Sequence, residues 1–270
     1  MTDSFDAFLQ LEGAGDDRWT LDVPLGLCSG LHTLWGGVGL AAAVVAMERS
    51  AGRPCAWSAV QYVRPIRVGA SLQIAVERGS RGRRLSQLQV TGRVDGEVAI
   101  AGQGSLGGAG ELDLQFVRPP DDVPPPEDCA PRTMPVGLDF SGTLLERLEQ
   151  RWAQAPRPVR RDGVPGSGRT RVWARLREPV ETTRGMLAVL ADFAPSAISE
   201  AIGEQAGGVS LDNTIRYARA TPLDPGAWLL VDLTVEAVVH DVAQVSARLF
   251  AVDGTLLAVA GQSAAVRRFG

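Results

Sequence analysis

The chain repeats one pattern in its two halves, and this repeat limits the folds open to it more than any other feature. The segment WSAVQYVRP (57–65) corresponds to DNTIRYARA (212–220), since each carries a Tyr-x-Arg sequence ahead of a strand-like run. The segment DGEVAIAGQGS (95–105) corresponds to DGTLLAVAGQS (253–263), in which a turn dipeptide precedes an apolar run and a glutamine. Such a repeat predicts two copies of one structural unit.

Each half also contains a long helical segment. The first, at 35–52, is apolar nearly all round, which predicts a helix enclosed by other elements. The second spans roughly 185–204, with Pro195 as a kink or restart. The other runs of each half are typical of antiparallel strands joined by turns such as Asp95-Gly96 and Asp253-Gly254. We therefore predict a duplicated α+β fold, in which each antiparallel sheet wraps around a long helix.

The middle of the chain differs from both flanks. Residues 117–138 are rich in proline and acidic side chains, so they cannot continue a helix or a central strand. A short amphipathic helix is predicted at 144–154. The sequence thus predicts an N-terminal unit at 1–115, a proline-rich connection at 116–169 that crosses the surface, and a C-terminal unit at 170–270.

Composition and charge indicate a soluble globular protein. The chain has 270 residues, of which 45% are hydrophobic, and it contains no apolar run as long as the roughly 18 residues of a transmembrane helix. The net charge of −4 predicts no general attraction to nucleic acid or to anionic membranes. The N-terminus is acidic and lacks the basic and apolar regions of a signal peptide, which favours a cytoplasmic location.

Several catalytic classes lack the residues that they need. All 27 basic residues are arginine, which excludes Schiff-base chemistry and a phosphate-binding loop that ends in lysine. The chain has only two histidines, His32 and His240, so a histidine metal site or a Ser-His-Asp triad is hard to build. Cys28, Cys55 and Cys129 form no CxxC pair and are interpreted as free structural thiols.

These repeated motifs resemble the hotdog fold, and the duplication is similar to that of double-hotdog acyl-CoA thioesterases of the bacterial thioesterase II type. The resemblance covers about 15–107 and 170–269 and leaves out the proline-rich connection. The motifs that carry it are Trp35-Gly36-Gly37, Tyr62-x-Arg64-Pro65, the stretch from Ser210 to Arg219, and the hairpin from Asp253 to Gln262. It implies a tandem hotdog that hydrolyses acyl-CoA to free acid and CoA without a metal or redox cofactor. A homodimer or a larger homo-oligomer is compatible with it.

The resemblance also implies a set of site residues. In the family, an Asp, a Thr or Ser, and a Gln of the second hotdog hold and polarise the water that attacks the thioester carbonyl. Matched residue by residue, the Asp falls on Asp212 and the Gln on Gln262. The hydroxyl position falls on Glu236, which departs from the pattern, while Thr234 lies two residues earlier on the same strand face. A carboxylate at Asp212 would then act as the general base.

The residues alone leave other roles open for these candidates. Asp212 can form a turn that enters a strand, and Gln262, which has a counterpart in Gln103, can be a feature of the fold and not of catalysis. Glu236 is either a solvated strand carboxylate or a second acid beside Asp212. The first half has Trp57 at the place of Asp212, and a carboxylate found in one copy favours catalysis.

Three further segments have a functional and a structural interpretation. Trp35-Gly36-Gly37 opens the first helix, where free N–H groups favour an oxyanion or a phosphate, but helix–sheet packing explains the same residues. The resemblance implies that the corresponding segment 190–193 lines the site, whereas Asp192 alone is interpreted as a cap. The arginines of 78–84 fit either the phosphates of CoA or a solvated hairpin tip.

Two other functions stay open at this point. A hotdog with a degenerate site would bind an acyl or aromatic ligand without hydrolysis, and Glu236 at the hydroxyl position supports that alternative. A hydratase that acts on enoyl-CoA ranks last, because neither His32 nor His240 lies in the Asp and His signature of that family.

Overall fold

The structure is a computed structural model, and it describes residues 4–108, 111–132, 139–155, 162–219 and 223–269. The α-helices in these ranges are α1 (Phe5–Leu9), α2 (Gly36–Ala51), α3 (Leu144–Arg147), α4 (Arg184–Ala191) and α5 (Ala194–Ile202). The strands of the first half are β1 (Glu12–Gly13), β2 (Arg18–Asp22), β3 (Cys55–Tyr62), β4 (Ser71–Arg81), β5 (Leu85–Val94) and β6 (Glu97–Gly107). Those that follow are β7 (Leu148–Trp152), β8 (Arg169–Leu176), β9 (Ala206–Ser210), β10 (Asp212–Tyr217), β11 (Leu229–Val239), β12 (Val242–Ala251) and β13 (Leu256–Arg268).

The described strands form one continuous antiparallel sheet. Its order is β1-β2-β4-β5-β6-β3-β10-β13-β12-β11-β8-β7, and β9 pairs with β13. The order β2-β4-β5-β6-β3 of the first half returns as β8-β11-β12-β13-β10 in the second half. The two copies join where β3 pairs with β10. The predicted tandem hotdog of α+β class is confirmed by this duplication.

Helix α2 is enclosed on all sides, as its sequence predicts. Every residue from Gly37 to Met47 is buried, because small and aliphatic side chains occupy all faces of the helix. The helix packs against α4 and against strands β3 and β6. It ends at Gly52, whose φ of 62° lies in the left-handed region that glycine adopts without steric cost.

The second helical segment is broken where the sequence predicts a restart. Helix α4 ends before Asp192, and α5 begins at Ala194 with Pro195 in its first turn, where a missing N–H is tolerated. Thr183 caps the start of α4, since its hydroxyl accepts a hydrogen bond from the backbone N–H of Met186. The break leaves Asp192 and its neighbour Phe193 outside regular helix in the interior.

The connection between the halves differs from its prediction. The predicted helix at 144–154 is wrong beyond Arg147, because β7 follows α3 at once and pairs with β8 at the edge of the sheet. The physical reason is the alternation of Leu148, Gln150 and Trp152, which buries every second residue as a strand does. Parts of the predicted connection, 133–138 and 156–161, lie outside the described residues.

Candidate active site

The break after α4 carries a buried carboxylate. Asp192 is 1% exposed, and its Oδ2 accepts a hydrogen bond of 2.7 Å from the backbone N–H of Gly37. Gly37 lies in the first turn of α2, so a carboxylate of the second half meets the positive end of a helix from the first half. The contact therefore places Asp192 where the two copies of the repeat meet.

Two polar side chains surround Asp192. Gln262 on β13 donates from Nε2 to Oδ1 of Asp192 at 2.6 Å and to Oγ of Ser210 at 2.5 Å. Ser210 ends β9, and its Oγ lies 3.5 Å from Oδ1 of Asp192. The structure thus brings together an Asp, a Ser and a Gln. We call these three residues the polar cluster.

The surroundings of Asp192 tune its acidity. Burial raises the pKa of Asp192 from the usual value of 3.8 to about 7, although hydrogen bonds from Gly37, Gln262 and Ser210 oppose that rise. A carboxyl group of this kind exchanges its proton near neutral pH. It is therefore suited to act as a general base and then to return the proton as an acid.

A largely apolar cavity of about 360 Å³ opens beside the polar cluster. Asp192, Ser210, Gly36 and Tyr62 lie in its wall. Apolar side chains make up much of the remaining wall, among them Leu34, Ile66, Ile100, Phe140, Leu145 and Phe193. A cavity of this composition that ends on a few polar groups is typical of a small-molecule site.

Glycine is needed at the start of α2 because other groups approach its backbone closely. A Cβ on Gly36 would lie 2.7 Å from Oδ2 of Asp192, and a Cβ on Gly37 would lie 2.7 Å from the carbonyl oxygen of Val189. The indole N–H of Trp35 donates to the same carbonyl at 3.2 Å. The predicted Trp35-Gly36-Gly37 segment therefore lies against the polar cluster, and its role toward an oxyanion stays a prediction.

Tyr62 is part of the cavity wall that the first half contributes. Its hydroxyl donates to the carbonyl oxygen of Gly36, and Tyr217 donates in the same way to that of Arg184. This contact is therefore part of the repeated fold. Burial raises the pKa of Tyr62 well above its usual value, and the nearby Asp192 carboxylate raises it further. The phenol stays protonated and serves as a donor.

The structure does not bring Asp212 into the polar cluster. Asp212 begins β10, and its Oδ1 accepts a hydrogen bond of 2.6 Å from the backbone N–H of Ser263. Its neighbour Asn213 is buried, so the alternation of the strand turns Asp212 toward the opposite face of the sheet. The carboxylate completes the backbone hydrogen bonding at a strand entrance. The prediction that Asp212 is the catalytic base finds no support in this geometry.

Thr234 and Glu236 also lie away from the polar cluster. Both belong to β11, and β12 separates that strand from β13, a distance of about 10 Å between the outer two strands. Glu236 is exposed and accepts a hydrogen bond of 2.5 Å from the hydroxyl of Ser246, which is paired with Thr234. The hydroxyl that contacts Gln262 is that of Ser210 instead.

The sheet register shows that Gln262 has no counterpart in the first half. Strands β13 and β6 can be aligned at the residues that pair with the tyrosines of β10 and β3. In this alignment Gln262 corresponds to Gly104, while Gln103 lies one residue earlier and is exposed. A Cβ on Gly104 would lie 2.9 Å from Cε of Met47, whose side chain fills that space. The echo between Gln103 and Gln262 is therefore offset by one residue, and the glutamine is specific to the second copy.

Other candidate groups have structural environments. Burial raises the pKa of the Cys28 thiol to about 11 and that of the Cys55 thiol to about 12, so neither is a ready nucleophile. Arg78 in the basic hairpin forms an ion pair with Asp17. Within the described ranges, no group of three or more His, Cys, Asp and Glu residues could hold a metal ion. No helix of the described residues has the length and apolar character to cross a membrane.

Sequence reasoning missed Asp192 and Ser210 as site residues. Asp192 stands in the run Val189–Phe193, whose four remaining members are all apolar. Burial of a charged residue in such a run costs free energy unless the residue has partners. That contrast could have identified it as more than a cap. Ser210 lies two residues before Asp212, and no local pattern separates it from other strand serines.

Comparison with known proteins agrees with this architecture. The family model described as "Acyl-CoA thioesterase N-terminal domain" matches residues 24–107, and "Acyl-CoA thioesterase C-terminal domain" matches residues 126–266. A comparison with curated protein sequences gives no match.

Solved structures of similar chains extend over nearly the whole length. A putative thioesterase from Novosphingobium aromaticivorans is 33% identical, with a TM-score of 0.85, and the match covers 94% of this chain and 97% of that one. A protein with the hotdog fold from Alicyclobacillus acidocaldarius has 19% identity and a TM-score of 0.83, with 98% of each chain covered. The acyl-CoA thioesterase II TesB2 from Mycobacterium marinum has 20% identity and a TM-score of 0.76, again with 98% of each covered.

Proposed function

This chain belongs to the double-hotdog acyl-CoA thioesterase family, and we propose that it hydrolyses acyl-CoA through a water molecule activated by Asp192. Membership of this family supports the general activity, which is the cleavage of an acyl-CoA thioester. The assignment of the base rests on one observation, which is the hydrogen-bonded cluster of Asp192, Ser210 and Gln262, whose aspartate and serine lie in the wall of an apolar cavity.

In the proposed reaction, the Asp192 carboxylate takes a proton from a water molecule that the Ser210 hydroxyl and the Gln262 amide help to orient. The water oxygen attacks the thioester carbon and forms a tetrahedral intermediate. Collapse of that intermediate breaks the carbon–sulfur bond, and the departing thiolate takes the proton from Asp192. The products are the carboxylic acid and CoA, and the carboxylate is restored for the next cycle.

The N-terminal end of α2 supports the charge that develops in this reaction. Its first turn already contacts Asp192 through the N–H of Gly37, and Gly36 lies in the cavity wall. The partial positive charge of a helix N-terminus favours negative charge on the carbonyl oxygen of the intermediate. This is the role expected from the sequence for Trp35-Gly36-Gly37.

The observation that favoured a binding protein with a degenerate site no longer supports that alternative. That alternative rested on Glu236 in place of a hydroxyl, and the hydroxyl beside Gln262 is that of Ser210. The acyl-CoA substrate follows from the proposed function, whereas a homo-oligomer and a cytoplasmic location remain predictions from the sequence.

A scan of acyl-CoA thioesters with detection of the released thiol tests the proposed function. We expect release of CoA well above the uncatalysed rate for at least one chain length. If no thioester from acetyl-CoA to long-chain acyl-CoA yields free CoA above background, the proposed hydrolysis is wrong.

A further inference from the structure

The cavity has polar side chains at a second place, away from the polar cluster. Gln150 on β7 and Arg132 lie in the wall of the same cavity that contains Asp192 and Ser210. Gln150 is 6% exposed, and its Oε1 accepts a hydrogen bond of 3.0 Å from Nη1 of Arg132. The guanidinium of Arg132 also lies 5.0 Å from the ring centre of Trp152, which holds it in place.

The hydrogen bond to Arg132 fixes the orientation of the Gln150 amide. A guanidinium has donors and no acceptor, so the oxygen of the amide must face it and the nitrogen must face away. That nitrogen, Nε2 of Gln150, is buried and has no hydrogen-bond partner among the described residues. An amide donor left without a partner in the interior is costly, and such a group calls for an explanation.

We propose that Gln150 and Arg132 form a subsite that binds an acceptor group of the substrate, with a carboxylate as the best-matched group. The amide supplies an unused N–H, and the guanidinium supplies positive charge, which together match the oxygens of a carboxylate. The proposal rests on the proposed function, since the substrate is the molecule whose thioester lies at Asp192.

The acceptor has two sources within an acyl-CoA molecule. One is a carboxylate at the far end of the acyl group, as in a dicarboxylic acyl thioester. The other is CoA itself, which carries amide carbonyls and phosphates. A second, adjoining cavity also has Arg132 and Gln150 in its wall, together with Phe140 and Leu145, so the subsite borders both cavities.

Three thioesters of the same chain length distinguish these sources. Hexanoyl-CoA and adipoyl-CoA differ by the terminal carboxylate, and S-propyl hexanethioate lacks every acceptor except the thioester. The value of kcat/KM is measured for each with the wild-type protein and with Gln150→Leu, and melting temperatures are recorded. Arg267→Met, which removes an exposed arginine of β13, serves as the control variant.

If the acyl group supplies the acceptor, Gln150→Leu lowers kcat/KM for adipoyl-CoA by about tenfold or more and leaves the other two thioesters within about twofold. If CoA supplies it, both CoA thioesters fall by that factor and S-propyl hexanethioate does not. Either result supports the subsite. Unchanged values for all three thioesters, or an equal fall in all three, would overturn it.

A second variant guards against a loss of folding. Gln150→Glu keeps the size of the side chain and its contact with Arg132, but it removes the N–H donor and adds a negative charge that offsets the charge of the guanidinium. We expect the same selective loss from it.

Dissociation constants of adipoyl-CoA and hexanoyl-CoA, measured by calorimetry on the wild-type and Gln150→Leu proteins, test the subsite even if no thioester is hydrolysed, since binding requires no turnover. Equal constants in the two proteins for both ligands would contradict it.

Discussion

The amide nitrogen of Gln262 lies 2.6 Å from Oδ1 of Asp192, which links strand β13 to the break between α4 and α5. On its other side, Asp192 contacts the first turn of α2 through Gly37. One carboxylate therefore joins elements from both copies of the repeat.

The rate of hydrolysis should depend on the protonation of Asp192. Because burial raises the pKa of this carboxyl to about 7, the base form dominates above neutral pH and disappears below it. We expect kcat/KM to rise with pH through an apparent pKa near 7 and to level off above it. A profile that is flat between about pH 5 and pH 9 would contradict the assignment of the base.

The same carboxyl makes the stability of the protein depend on pH. Its folded pKa of about 7 exceeds the usual 3.8, so the folded state binds more protons between these values. The stability that this proton contributes is complete at low pH and is lost as the pH rises through about 7. Between about pH 5 and pH 8, the free energy of unfolding of Asp192→Asn should therefore rise relative to that of the wild type, on the order of 3 kcal/mol.

Urea unfolding of both proteins at about pH 5 and pH 8 measures this difference. An equal difference in unfolding free energy at the two pH values would show that Asp192 is not buried as a neutral acid.

Ser210 should act through its hydroxyl and not through its size. Ser210→Ala removes a group that contacts Gln262 and lines the cavity, so we expect kcat to fall by about tenfold to a hundredfold. Ser210→Thr keeps the hydroxyl and should retain activity within about threefold. Ser263→Ala, on the neighbouring strand, is the control. Equal activity of Ser210→Ala and Ser263→Ala would remove the hydroxyl from the mechanism.

Gly37 should tolerate no side chain, because its Cβ would meet the backbone carbonyl of Val189 at 2.7 Å. Gly37→Ala is expected to destabilise the protein by about 2 kcal/mol or more and to impair activity, since it displaces the N–H that contacts Asp192. Gly39→Ala in the same helix is the matched control, because the nearest neighbours of its Cβ would be side-chain atoms, those of Ile100 at 3.1 Å and of Tyr62 at 3.2 Å, and not a backbone carbonyl at 2.7 Å. Melting temperatures compare the two, and equal losses would contradict the prediction.

The duplicated fold could be predicted because hydrophobic pattern and turn chemistry are local. The apolar character of α2 on all sides and the restart of the second helix at Pro195 are both predicted by the sequence and found in the structure. The strand β7 could not be separated from a short amphipathic helix, since a run as brief as Leu148–Trp152 fits both periods.

The site was harder to predict because its members come together only in the folded chain. Gln262 was identified through the resemblance, but one residue of register separates it from its supposed echo Gln103. The local sequence indicates only a cap at Asp192, because the helix break that buries it next to α2 is a tertiary feature. Asp212 stands out in the sequence as a carboxylate at the start of a strand, and in the structure it has the local role of accepting a backbone hydrogen bond there.

The most direct test of this account compares Asp192→Asn with Asp212→Asn in the hydrolysis of the best acyl-CoA substrate. Each variant replaces one carboxylate with an amide of nearly the same size. We predict that kcat falls by about a hundredfold to ten-thousandfold in Asp192→Asn and stays within about threefold of wild type in Asp212→Asn. The reverse pattern, with Asp212→Asn inactive and Asp192→Asn active in a folded protein, would contradict the account.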